Sequence, residues 1–96
     1  MASNIGTATI DFGAWPGSNE ASIAVSDASI VTGANTEAYV MGDSTTSDHT
    51  ANDHKYFAAL AGLSAGTVVN ATGFTIYARS TEKLEGTFLV NWVWST

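Results

Sequence analysis

The chain has no cysteine. That excludes a disulfide framework and a thiolate metal site, and it leaves the redox compartment open. Charge is also scarce: 12% of the 96 residues are charged, roughly half the usual share. Positive charge is scarcest, with three Lys and Arg against nine Asp and Glu and a formal charge of −6. Lys55, Arg79 and Lys83 stand apart and form no patch. A phosphate backbone is bound by clustered Lys and Arg that release its counterions, so neither nucleic acid nor an anionic membrane is expected as a partner. No apolar run approaches the length of a membrane span. The opening "MASNIGTATI" has neither a basic n-region nor an apolar h-region, so no signal peptide is expected and synthesis is expected in the cytoplasm.

Catalytic signatures are missing too. There are many serines but no Gly-x-Ser-x-Gly elbow, and no GxGxxG or Walker pattern cradles a phosphate. Asp11, Glu20, Glu37, Glu82 and Glu85 are scattered, without the spacing of a general acid–base pair. The expectation is a protein that is not an enzyme and carries no cofactor.

What remains is 45% hydrophobic residues and a surface supplied by Ser, Thr, Asn, Gly and Ala. That mixture favours β structure with many turns, and it makes surfaces that are cheap to desolvate against a partner. Residues 1–96 suit one domain, near the lower size at which a chain buries its own core.

Period-two alternation marks the strands. In residues 7–12, "TATIDF", Ala8, Ile10 and Phe12 share one face. Pro16 and Gly17 then supply turn chemistry. In residues 20–27, "EASIAVSD", Ala21, Ile23 and Val25 share a face; "ASIV" (28–31) reads as a short extra strand; residues 36–42, "TEAYVMG", place Ala38 and Val40 opposite Tyr39 and Met41. Residues 43–55 are the longest polar stretch and read as a loop. The next segment, "YFAALAGLSAG", fits helix and strand equally. Thr50 with Asp53 resembles a capping box, and His54, Phe57, Leu60 and Ala61 fit a helical stripe. Phe57, Ala59, Ala61 and Leu63 also fit period two. "TVV" (67–69) is a short strand. Asn70 to Thr72, formally a glycosylation sequon, reads as a turn. The closing segment reads as a C-terminal hairpin of residues 74–80 with 87–95. The sum is an all-β, single-domain antiparallel β-sandwich, or a barrel-like fold of jelly-roll or Ig-like kind, with six to eight strands.

Phe88, Val90, Trp92 and Trp94 lie on one face of the last strand. Such a face usually lines the core, because aromatic residues dominate core energetics. The functional alternative projects the strand's end onto a partner, since tryptophan is favoured at the buried centre of interfaces. The division expected is Trp92 inside, with Trp94 and Trp15 as contacts. An aromatic row also raises carbohydrate binding, though nothing else in the sequence specifies a sugar.

"DHTANDH" places Asp48–His49 and Asp53–His54 five residues apart. All four side chains are able to ligate or orient a metal. The spacing is neither the i, i+4 pair of a zincin helix nor another fixed ligand pattern, so a solvated loop is the bland reading. The sharper one is an inter-subunit metal or hydrogen-bond site, in which His49 or His54 meets its copies on a symmetry axis.

In order along the chain, "TATIDFG", "NEASIAV", "DHTANDH", "TGFTIYA" and "GTFLVNWVW" resemble a group of small, mostly uncharacterised proteins encoded by tailed bacteriophages. The resemblance spans nearly the whole chain and rests on a pattern of phrases, not on a mechanistic motif. It implies a virion structural protein, a β-sandwich assembled in many copies, with no catalytic residue to carry over. It also implies that "FAALAGLSAGTVV" is more strand than helix. The leading expectation is an oligomeric capsid decoration (cement) protein. It would clamp the major capsid protein or another virion protein through Trp15, Trp94, His49 and His54. A trimer would suit local three-fold positions. From a different class comes a tail, baseplate or fibre-associated binding module that recognises host glycan or another tail protein. A metal-dependent enzyme built on His49 and His54 is the remotest reading.

Overall fold

The computed structural model describes residues 3–96, and Met1 and Ala2 lie outside the described residues. Two three-stranded antiparallel sheets pack face to face. The first has the order β1 (Ser3–Asp11), β6 (Thr87–Ser95), β3 (Asn35–Tyr39); the second has β2 (Ser18–Ser26), β5 (Gly73–Leu84), β4 (Ala61–Val69). One helix, α1 (Ala51–Leu60), precedes β4. β1 flanks β2 along one side of the sandwich and β3 flanks β4 along the other. The architecture is the expected all-β sandwich; the sheets do not close into a barrel.

Alternation puts the predicted faces inward. Ile10 and Phe12, Val25, Phe74, Ile76 and Ala78, and Phe88, Val90, Trp92 and Trp94 are all buried in one core, with Ala8, Ala21, Ile23, Ala38 and Val40 packed against it. Tyr39 and Met41 point outward. Trp92 meets Phe74 edge to face at 5.4 Å. Its ring also lies over Gly6, its partner across the β1–β6 ladder, where an added Cβ would sit 2.4 Å from the indole. The strand partner therefore has to lack a side chain at that point.

Several expectations are corrected. Residues 74–80 and 87–95 do not form a hairpin: β5 pairs with β2 and β4, whereas β6 pairs with β1 and β3. The chain turns a corner between sheets at Glu85–Gly86. There Gly86, at φ +74°, donates its N–H to the Gly13 carbonyl and accepts from Phe12 N–H. Period two shows that two segments are strands with inward faces. It does not show whether they share a sheet.

Residues 28–31 form a turn instead of a strand, with Ile30 N–H bonded to the Asp27 carbonyl at 3.3 Å and the Ile30 side chain buried. The ambiguous segment is both things in succession. Helix runs to Leu60 and strand begins at Ala61, so the implied strand holds only for its second half. The capping box decides the first half: Thr50 accepts from Asp53 N–H while the Asp53 carboxylate accepts from Thr50 N–H. Accordingly the polar loop ends at Thr50, not at residue 55. β1 begins at Ser3, four residues before the expected start.

Candidate functional site

The two ends of the sandwich hold the predicted site residues. β6 starts at one end with Thr87 and reaches the other at Ser95, so Trp94 lies about 23 Å from Thr87 at the rise of an extended strand. The turn that carries Trp15 and the acid–histidine loop face each other across a recess at the Thr87 end; Trp94 lies at the other.

β3 pairs with β6 only from Asn91 to Ser95, so among the described residues no strand lies on the β3 side of β6 before Asn91. Side chains of the polar loop and of α1 bond to that edge and to the corner before it. Thr46 Oγ1 donates to the Thr87 carbonyl at 2.8 Å. Asp48 Oδ2 accepts from both the N–H and the hydroxyl of Thr87, each at 2.9 Å. His54 Nε2 accepts from Leu89 N–H at 2.9 Å, and His49 Nε2 donates to the Glu85 carbonyl at 2.6 Å. A buried or half-buried ladder group must find a partner; here Thr46, Asp48 and His54 act as one, and His49 bonds the corner before the strand.

The two histidines differ in kind. His54 is fully buried. Its Nε2 must accept, because Leu89 N–H only donates; its Nδ1 must donate, because the partner at 2.9 Å is the Thr50 carbonyl. Both nitrogens are committed, in the neutral Nδ1–H tautomer. No lone pair remains for a metal, and the ring is not available to another subunit, which corrects both expectations for His54. His49 faces two acceptors, Asp53 Oδ2 at 3.1 Å and the Glu85 carbonyl. A proton on either nitrogen satisfies one, and the imidazolium satisfies both. Its ring stacks on Phe88 at 4.0 Å, and Phe57 stacks on Phe88 at 4.4 Å. Two rings cannot share one face at those separations, so His49 caps the core end over Phe88. Among the described residues no three His, Asp or Glu side chains are grouped to hold a metal ion.

Hydrogen bonds hold two carboxyls, Asp48 of the loop and Asp53 of α1, below the usual carboxylate range. For Asp48 the Thr87 N–H is the main cause, followed by the Thr87 hydroxyl. For Asp53 it is Thr50 N–H, followed by His49. Beside them the Ala14–Gly17 turn, closed by Gly17 N–H on the Ala14 carbonyl at 2.8 Å, carries Trp15, 81% exposed. Between the turn and the loop lies a recess of about 420 Å³ lined by Asp11, Ala14, Asp48, His49 and Glu85, among others.

At the opposite end the expectation for Trp94 fails. Trp94 is 1% exposed, and its indole N–H donates to Asp27 Oδ2 at 2.7 Å. Asp27 also accepts from Asn4 Nδ2 and, through Oδ1, from the N–H and hydroxyl of Ser29. The Ser29 hydroxyl first, then the Trp94 indole and Asn4, hold its carboxyl far below the usual range. Asp27 escaped sequence reasoning because nothing in "VSDASI" links it to a tryptophan 67 residues on.

No protein-family model matches this chain, and no curated protein matches it. The functional reading therefore rests on the geometry and on the phage resemblance of the sequence. No helix among the described residues is long and apolar enough to cross a membrane.

Proposed function

We propose that the chain is a tailed-bacteriophage virion structural protein, a capsid decoration protein that works as an oligomer. One observation carries the reading: the Ala14–Gly17 turn holds Trp15 81% exposed, across a recess from a loop whose Thr46 and Asp48 bond β6 at Thr87 and whose His49 bonds the Glu85 carbonyl. A large exposed indole on a hydrogen-bonded turn suits an interface anchor, and tryptophan anchors dominate interface energetics.

In this reading each subunit seats Trp15 on the major capsid protein or a neighbouring virion protein. Clamping follows from multiplicity, because separating shell proteins then requires breaking several contacts at once. Antibody-gold labelling of the phage particle tests the placement. Dense labels over the head are expected; labels confined to the tail, or none, would overturn it. Trp15→Ala is expected to abolish incorporation while leaving the fold intact.

A further inference from the structure

The outer face of the β2–β5–β4 sheet has no part in that reading. Its register sets three cross-strand rows: Glu20–Arg79–Gly62, Ser22–Tyr77–Ser64 and Ala24–Thr75–Gly66. Tyr77 and Arg79 stand on the central strand; Tyr77 has a serine on each side, and Arg79 has Glu20 on one side and Gly62 on the other. Between them is an open groove of about 520 Å³, lined by Tyr77, Arg79, Glu20, Ser22, Ser64 and Gly62 among others. That is within the usual size of small-ligand sites. Tyr77 is 44% exposed.

Two observations resist a purely structural account. A Cβ added at Gly62 would come no nearer than 4.0 Å to its neighbours, and one at Gly66 would meet nothing within 4 Å. Neither glycine has a positive φ. So neither crowding nor backbone conformation requires glycine there, although glycine weakens a strand interior. Their effect is to keep the floor beside Tyr77 bare. Second, the β4 ladder is interrupted after Gly66, and Thr67 in the interruption has φ +54°, a strained conformation for a β-branched residue. Its hydroxyl sits 3.2 Å from the Tyr77 hydroxyl and fixes the far end of the ring.

We propose that this face is a saccharide-binding platform centred on Tyr77. An anchored aromatic ring offers a flat surface for the C–H face of a pyranose. Ser22 and Ser64 are its direct cross-strand neighbours, close enough for their hydroxyls to meet the sugar's. Arg79 and Glu20, ion-paired over the same groove, present planar groups suited to vicinal diols. The net negative charge disfavours a polyphosphate ligand. The assignment is independent of the decoration reading, because it concerns a different face.

The test is an NMR titration of the ¹⁵N-labelled full chain with the methyl glycosides of glucose, galactose, mannose and N-acetylglucosamine, followed by a glycan array. Saturable shifts confined to residues 20–24, 62–66 and 75–79 are expected. Gly62→Val should weaken binding at least about tenfold with an unchanged or higher Tm, since the added side chain has room and suits a strand. Tyr77→Ala should do the same, and Tyr77→Trp should retain binding. Three outcomes overturn the proposal: no saturable shifts or array signal with any sugar, shifts mapping elsewhere, or Gly62→Val binding as well as the parent. If Gly62→Val instead abolishes particle association while no sugar binds, the face is a protein contact and the saccharide assignment falls.

Discussion

Each end of the sandwich has a tryptophan and a hydrogen-bonded aspartate, yet the two tryptophans are used in opposite ways. At the Ser95 end Trp94 is drawn into the core, and Asp27 ties its indole N–H to Asn4 and Ser29. That end is sealed. At the Thr87 end Asp48 serves the backbone of β6, and Trp15 is left in solvent. The lesson is that residue type does not assign a tryptophan to core or surface. Whether a carboxylate and a sheet face close over it does.

The sharpest way to break this comparison is to truncate both residues. Trp94→Ala should cost about 3–5 kcal/mol, a drop in Tm of more than about 10 °C for a domain of this size. A loss by thermal melting no greater than that of Trp15→Ala would show the comparison to be mistaken.

Next in size are the two histidines at the Thr87 end. His54→Ala leaves Leu89 N–H without its acceptor and opens a cavity beside Phe88, for about 2–3 kcal/mol. His49→Ala removes a ring from the surface of Phe88 and should cost about 1 kcal/mol. Urea denaturation of both variants checks the order; equal losses would mean that the acid–histidine loop acts as one undivided cap.

Asp27 gives the comparison a pH dependence. Its folded pKa lies well below the ordinary 3.8, so its contribution is fully present above the unfolded value. It is withdrawn as pH falls below about 4 toward the folded value. Asp27→Asn should lower stability at pH 7 by about 1–2 kcal/mol, and the gap should narrow by pH 2. Asp48 and Asp53 shift the same way, so the parent and the variant should both lose stability in acid. A gap that is constant between pH 7 and pH 2 would remove Asp27's carboxylate from the account.

The smallest effect on folding belongs to Trp15→Ala, within about 0.5 kcal/mol of the parent. Particle incorporation, measured by gradient sedimentation with labelled particles, should nonetheless be lost. Retained incorporation would detach Trp15 from the proposed contact.

Alternation by itself determined much of this protein. A strand's side chains have period two, so Ile10, Val25, Ile76 and Val90 declare their inward faces without knowing their partners. Local capping chemistry offered Thr50 as a helix start, but strand fitted the following residues equally, and the folded capping box decides for helix. What spans longer separations was legible only in part. "DHTANDH" was visible as a cluster, but its role depended on β3 ending at Tyr39 and leaving part of the β6 edge to be filled. The choice between hairpin and cross-sheet corner, the burial of Trp94, and the joining of Asp27 to an indole 67 residues away were decided by tertiary structure alone. The physical reason is common to all three. Backbone ladders and carboxylate bonds are satisfied by whichever group the fold brings within about 3 Å, and sequence spacing does not encode that distance.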